Sequence, residues 1–134
     1  MNITVIGAYG YTGKLICHEL ENHQLKFSIA GRDAAKLESL KTILKSNPIS
    51  IPGDISISEI AGKIISESDL IINCAGPFTE ESKLLLSLVA TRGKVYLDIT
   101  GEIGFVKNSR ESFHEVAQKS KSLIIHGCAF ESLL

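Results

Sequence analysis

The sequence predicts an α/β fold in which a doubly wound parallel sheet of about six strands carries helices on both faces. Three observations support this prediction. Short apolar runs alternate with amphipathic segments along the chain, and several of these runs are almost continuously apolar, as is typical of strands buried on both faces of a parallel sheet. Glycines at positions 7, 10 and 13 separate the first apolar run from the first amphipathic segment. Such regular alternation implies right-handed crossovers between strands.

The strands are predicted at residues 2–6, 25–30, 49–51, 70–75, 94–99 and 122–128. Helices are predicted at residues 11–21, 34–45, 80–92 and 109–121, with a further one after residue 56. Asp33 is expected to cap the second helix and Gly93 to end the fourth. The third helix should begin with a capping box, because Ser56 stands three residues before Glu59 and an apolar periodic segment follows.

Composition excludes several classes of function. The chain has 134 residues, 44% of them hydrophobic, with a formal net charge of −1, which fits one domain with a continuous core. Balanced charge and few aromatic residues argue against nucleic acid or a membrane surface as a partner, and no apolar segment approaches the ~20 residues of a membrane span. The three cysteines are far apart. We expect a cytoplasmic protein with reduced thiols and no metal site.

The first glycines form a G-x-x-G-x-x-G pattern between a predicted strand and a predicted helix, Gly7-Ala8-Tyr9-Gly10-Tyr11-Thr12-Gly13. In a dinucleotide-binding loop, Gly7 permits the tight turn, Gly10 lets the backbone approach a pyrophosphate, and Gly13 lets the helix pack on the strand. The phosphates then lie at the helix N-terminus, near Tyr11 and Thr12. The alternative is a tight turn without a ligand. The position between strand and helix favours the dinucleotide, and a Walker A loop is excluded because Leu15 stands where a Ser or Thr is required.

The residues after the second strand bear on the choice of dinucleotide. An NAD-binding domain places an acidic residue there to bind the adenosine ribose, whereas this chain has Gly31-Arg32-Asp33. Arg32 can pair with the 2′-phosphate of NADP through two parallel hydrogen bonds. In the alternative interpretation Arg32 is an exposed arginine, and Asp33 either caps the next helix or serves NAD. We therefore expect NADP, with NAD as the alternative cofactor.

Residues near two further strand ends complete the predicted cofactor site. Asp54 follows the third strand and is either a neighbour of the adenine or an ordinary loop residue. Ala75, Gly76 and Pro77 follow the fourth strand, where the cofactor of a doubly wound domain passes toward its nicotinamide. Pro77 has an alternative role as the first residue of a helix.

No residue is assigned as a catalytic acid or base. Asp98, Thr100 and Glu102 end the fifth strand and either meet a substrate or form a turn in which Gly101 has a positive φ. Cys74 and Cys128 are interpreted as packing thiols. The remaining candidates are histidines, and His126, which lies in a β-run, is interpreted as a core or edge residue.

Five segments together resemble the N-terminal domain of the saccharopine dehydrogenase family: GAYGYTGKLICHEL, IAGRDAAKLESL, INCAGPF, YLDITGE and HGCAFESLL. They are most similar to the branch of saccharopine-dehydrogenase-like oxidoreductases that includes trans-acting enoyl reductases. This resemblance implies a Rossmann domain of an NAD(P)-dependent oxidoreductase that transfers hydride to or from a small organic substrate. It also implies that Gly7, Gly10, Tyr11, Thr12 and Gly13 contact the pyrophosphate, that Arg32 has the NADP-type position, and that Gly76 and Pro77 pass the nicotinamide.

The chain departs from the family pattern at three positions. Tyr9 replaces a small hydroxyl residue of the glycine loop, and Ala129 and Glu131 replace a glycine and an aspartate of the last motif. Family members continue into a substrate and dimerisation domain. We therefore expect this sequence to be part of a longer protein, in which a homodimer is one compatible assembly, and the isolated chain to be inactive. The alternative function is a non-catalytic NADP(H)-sensing module of the NmrA type.

Overall fold

The computed structural model describes residues 1–128, which form one six-stranded sheet. The strands are β1 (Ile3–Ile6), β2 (Phe27–Gly31), β3 (Ile49–Pro52), β4 (Leu70–Asn73), β5 (Val95–Asp98) and β6 (Leu123–Ile125). Their order in the sheet is β3-β2-β1-β4-β5-β6, and every neighbouring pair is parallel. The chain therefore leaves β1 toward one edge of the sheet and returns past it toward the other, so the carboxyl ends of β1 and β4 flank a topological switch point.

Five α-helices cover both faces of the sheet: α1 (Tyr11–Asn22), α2 (Ala34–Ile43), α3 (Ser58–Glu67), α4 (Lys83–Thr91) and α5 (Ile103–Ser120). A short 3₁₀ helix at Glu80–Ser82 precedes α4. Helices α1 and α2 bury Cys17, Leu37 and Leu40 against one face of the sheet. Helices α3 and α4 bury a second apolar cluster on the other face, where α5 packs beside α4. The predicted doubly wound α/β class is confirmed.

The predicted caps at Asp33 and Gly93 are confirmed. The Asp33 carboxylate accepts the Lys36 backbone N–H at 3.1 Å, at the N-terminus of α2. Gly93 follows the last residues of α4 with φ of +67°, a left-handed conformation that glycine adopts without steric penalty. Sequence alone therefore located these two helix ends from the chemistry of the capping residues.

The predicted capping box at Ser56 is wrong. Both the backbone N–H and the hydroxyl of Ser56 bond to the Asp54 carboxylate, at 2.9 Å and 2.8 Å, and α3 begins two residues later. Asp54 therefore holds Ser56 in a local turn, which competes with a capping role because the hydroxyl is already engaged.

Helix α5 begins at Ile103, six residues before the predicted start at position 109. Gly104 and the β-branched Val106 lower the helix propensity of this first segment, which hid it from the sequence pattern. Among residues 1–128, no helix has both the length and the apolar character needed to cross a membrane.

Candidate functional site

A cleft of about 390 Å³ lies at the switch point between β1 and β4. Its walls come from the loops that follow β1, β2, β3 and β4, so four separate segments meet at one edge of the sheet. The lining includes seven of the ten residues predicted to bind the cofactor: Gly7, Gly10, Arg32, Asp54, Ala75, Gly76 and Pro77. Ligands of open α/β sheets bind at such an edge.

The glycine loop is packed so tightly that side chains are excluded at two positions. Gly7 has φ of +72°, and a Cβ there would lie 2.7 Å from the Ala75 backbone nitrogen. A Cβ at Gly13 would lie 2.8 Å from the Ala8 Cα and would overlap the Gly7 carbonyl oxygen. These contacts bring α1, β1 and the segment after β4 together, and they leave the backbone of the loop as one wall of the cleft.

The N-terminus of α1 carries unpaired donors. Gly10 occupies the N-cap position in an extended conformation and supplies no side chain to cap the helix, and the first bond of the helix joins the Lys14 N–H to the Gly10 carbonyl at 2.9 Å. The N–H groups of Tyr11, Thr12 and Gly13 find no acceptor within residues 1–128. Such free N–H groups together with the helix dipole favour an anion at this end of α1.

Arg32 follows β2 directly and is exposed. Its neighbour Asp33 has its carboxylate engaged at the N-terminus of α2. The Asp33 carboxylate caps α2 and lies 3.9 Å from the Lys36 Nζ, so capping, one of the two roles considered for Asp33, is observed. Asp54 lies across the cleft. Hydrogen bonds from Ser56, assisted by the positive charge of Arg32, hold the pKa of the Asp54 carboxyl below its ordinary value.

The segment after β4 lines the cleft with Cys74, Ala75, Gly76 and Pro77. The Ala75 N–H donates to the buried Asn73 side-chain oxygen at 3.0 Å, and the Gly76–Pro77 peptide bond is cis. Helical structure begins only at Glu80, so the alternative reading of Pro77 as the first residue of a helix is wrong.

The polar residues after β5 form the turn that was one of the two alternatives. Asp98 is fully buried and accepts the Thr100 N–H at 3.1 Å, while the Thr100 hydroxyl accepts the Glu102 N–H at 3.1 Å. The accompanying expectation for Gly101 is wrong, because its φ is not positive. Glu102 lines a second cavity of about 220 Å³, together with Phe78, Phe105, Ser109 and other residues.

Asp98 also belongs to a hydrogen-bonded group that the sequence did not predict. His126 Nδ1 lies 2.6 Å from Asp98 Oδ2, and His126 Nε2 lies 2.8 Å from the Ser109 hydroxyl. Burial opposes ionisation of Asp98, but hydrogen bonds from His126, Gly127 and Thr100 outweigh it and hold the pKa of this carboxyl below its ordinary value. An ionised carboxylate only accepts hydrogen bonds, so Nδ1 of His126 carries the proton between them.

The thiols behave as packing groups. Burial raises the pKa of Cys17 to about 12 and that of Cys74 to about 11, and both thiols are free. No group of three potential metal ligands occurs in the described part of the chain. The predicted motif positions Ala129 and Glu131 lie outside the described residues.

Known proteins are similar to this chain in sequence, and others are similar to it in fold. The family described as the saccharopine dehydrogenase NADP-binding domain matches residues 3–124. The probable mitochondrial saccharopine dehydrogenase-like oxidoreductase of Arabidopsis thaliana is 30% identical over 98% of this chain and 32% of its own length. The trans-acting enoyl reductase of Mycobacterium tuberculosis is 28% identical over 98% of this chain and 33% of its own.

Among solved structures, apo saccharopine dehydrogenase (L-Glu forming) from Saccharomyces cerevisiae superposes with a TM-score of 0.79. The sequence identity is 14%, and the match covers 97% of this chain and 27% of the yeast protein. This similarity supports the fold. The chain spans about a third of the length of the two relatives that it matches by sequence.

Proposed function

Because the chain belongs to the saccharopine dehydrogenase family and corresponds to its NADP-binding domain, we propose that it holds the cofactor of an oxidoreductase that transfers hydride between NADP(H) and a small organic substrate. One observation carries this proposal: α1, whose first N–H groups are unpaired, begins directly after Gly10, its N-cap residue, which lines the cleft together with Gly7 and Arg32. An anionic dinucleotide fits this combination of donors and shape.

The proposed position of the cofactor follows from the walls of the cleft. The pyrophosphate lies at the backbone of Gly7, Gly10 and the first turn of α1, where Tyr11, Thr12 and Gly13 supply N–H groups. The adenosine ribose lies beside Arg32 with the adenine bordered by Asp54, and the nicotinamide end passes Ala75, Gly76 and Pro77. When bound, the nicotinamide supplies the hydride chemistry, and the chain binds and orients it.

The fit is supported by the space that glycine leaves. A side chain at Gly7 would collide with the backbone of Ala75, and one at Gly13 would collide with the loop itself. Backbone N–H groups therefore form the surface that a pyrophosphate approaches, and Arg32 supplies the positive charge that distinguishes a 2′-phosphate from a free ribose hydroxyl.

We propose that residues beyond this sequence bind the substrate and supply the remaining catalytic groups. The two relatives are about three times as long as the part that this chain matches. We therefore expect the 134-residue chain to bind NADPH without consuming it, and the full-length protein to act on a small molecule; a homodimer is one assembly compatible with this function.

The test compares binding with turnover. The full-length protein is incubated with NADPH and a panel of small carbonyl, imine and enoyl compounds, and the loss of reduced nicotinamide is followed by absorbance. Oxidation of NADPH that depends on one of these compounds supports the oxidoreductase. Tight NADPH binding without turnover on any compound would instead support the NADP(H)-sensing module.

A further inference from the structure

Tyr9 connects the glycine loop to the corner that selects the cofactor. Its hydroxyl oxygen accepts the backbone N–H of Asp33 at 3.1 Å. Its ring packs on Gly31, the last residue of β2, where an added Cβ would lie 2.5 Å from the Tyr9 Cε1. The tyrosine thus fills the space of an acidic side chain at the end of β2, the place from which such a residue would bind the ribose of NAD.

The Tyr9 hydroxyl has a hydrogen-bond donor that is not used within the described part of the chain. A phenol has one donor and two acceptor lone pairs, and the Asp33 N–H occupies only one lone pair. No acceptor for the Tyr9 proton occurs within residues 1–128. Tyr9 is half-buried and lines the cleft, so its free donor is available to an acceptor bound there.

The charges around Tyr9 favour a strongly anionic acceptor. The Lys36 Nζ lies 5.6 Å from the centre of the Tyr9 ring, and Arg32 follows Gly31 directly. Two of the carboxylates at this side of the cleft are engaged: Asp33 caps α2 and lies 3.9 Å from the Lys36 Nζ, and Asp54 accepts hydrogen bonds from Ser56, while Glu81 also lines the cleft. The corner therefore offers two cations and one unused hydroxyl donor, which suits a phosphate monoester.

We propose that Tyr9 donates its phenol hydrogen bond to the 2′-phosphate of NADP, with Lys36 as a second cation beside Arg32. This inference rests on the proposed function, because it requires the adenosine end of the cofactor at this corner. It gives a role to the tyrosine that replaces a small hydroxyl residue: the larger side chain carries its hydroxyl from the glycine loop to the end of β2, where it also fixes the backbone of Asp33.

Calorimetric titration of the chain tests this role with two pairs of probes, NADPH against NADH and 2′,5′-ADP against 5′-ADP. Tyr9→Phe removes the hydroxyl and retains the ring that packs on Gly31. We expect Tyr9→Phe to raise the Kd for NADPH and for 2′,5′-ADP by roughly tenfold, the effect of losing one hydrogen bond to a charged group. The Kd for NADH and for 5′-ADP should change by less than about twofold, because they lack the 2′-phosphate.

Lys36→Met serves as a second variant, and Lys26→Met is its matched control. Lys26 is exposed at the amino end of β2, the opposite edge of the sheet from the cleft. Lys36→Met should weaken NADPH by about threefold at low salt and less at high salt, since the lysine is exposed and its charge is screened. Lys26→Met should leave every affinity unchanged.

The effect of Tyr9→Phe on the two nucleotides distinguishes a contact with the 2′-phosphate from a role in loop shape or no role. Equal weakening of NADPH and NADH by Tyr9→Phe would show that Tyr9 acts only through the shape of the loop, and no change for either nucleotide would show that it has no role; both results overturn the inference. If the wild-type chain binds neither NADPH nor NADH, the proposed function fails first and the role of Tyr9 fails with it.

Discussion

Gly13 in α1 lies so close to Gly7 in the preceding loop that a methyl group at position 13 would overlap the Gly7 carbonyl oxygen. This approach fixes the start of α1 against the loop that follows β1, next to Gly10, which lines the cleft. Since the atoms in contact belong to the backbone, they cannot move aside as a flexible side chain would. The third glycine of the loop is therefore required by packing, independently of any ligand.

We predict that Gly13→Ala destabilises the fold. In a helix, alanine is favoured over glycine by ~1 kcal/mol, but the backbone overlap outweighs this gain, and the unfolding free energy should fall by about 2 kcal/mol. Gly62→Ala is the control: Gly62 lies within α3, and an added Cβ there meets no atom within 4 Å. This control should raise stability by about 0.5–1 kcal/mol. Denaturant unfolding measures both, and changes of the same sign would contradict the packing argument.

Arg32→Ala should impair binding of NADPH much more than binding of NADH. Loss of a paired, charge-assisted contact to a phosphate corresponds to roughly tenfold to a hundredfold in Kd. Arg92→Ala provides the control, because Arg92 is exposed at the end of α4, away from the cleft. Calorimetry with both nucleotides measures the difference, and equal losses for NADPH and NADH would reject contact between Arg32 and the 2′-phosphate.

The central part of the fold was predictable because its signals are local. Apolar runs such as Ile3–Ile6 are buried along their whole length, and the glycines that follow have the spacing of a strand-to-helix loop. Asp33 was predicted as a cap because its side chain acts on the backbone three residues away. In each case the residues that determine the structure are neighbours in sequence.

We predict that Asp98 contributes stability that is lost in acid. Its pKa in the folded chain lies below the ordinary value of 3.8. This stabilisation is therefore fully present above about pH 4 and is lost as the pH falls through the lower folded pKa. Asp98→Asn should lower the unfolding free energy at neutral pH by about 2 kcal/mol, and the difference from wild type should shrink as the pH falls toward 2.

Glu111→Gln is the matched control for this experiment. Glu111 is an exposed carboxylate on α5 that lies 4.0 Å from the Lys107 Nζ, and its replacement should change stability by less than about 0.5 kcal/mol. Unfolding in denaturant is measured across the acid range for both variants. If the deficit of Asp98→Asn stays constant down to pH 2, the depressed pKa of Asp98 does not supply this stability.

The hydrogen-bonded group formed by Asp98, His126 and Ser109 was not predicted from the sequence. Asp98 and His126 are 28 residues apart, and His126 and Ser109 are 17 apart. A signal did exist, because Asp98 ends β5 and His126 follows β6, and neighbouring parallel strands end at the same edge. Ser109 was already predicted to lie on this helix, but no local pattern indicated that its hydroxyl reaches His126. The role of Tyr9 was equally hidden, since it depends on contact between two loops.

Binding of a dinucleotide at the start of α1 is tested by titrating the isotopically labelled chain with NADPH and following its backbone amide chemical shifts. We expect the largest changes at Tyr11, Thr12 and Gly13, whose unpaired N–H groups are proposed to bind the pyrophosphate, with further changes at Arg32. NADH should produce the same changes at the glycine loop and smaller ones at Arg32. If these amides stay unperturbed at saturating NADPH, the dinucleotide does not bind at the start of α1.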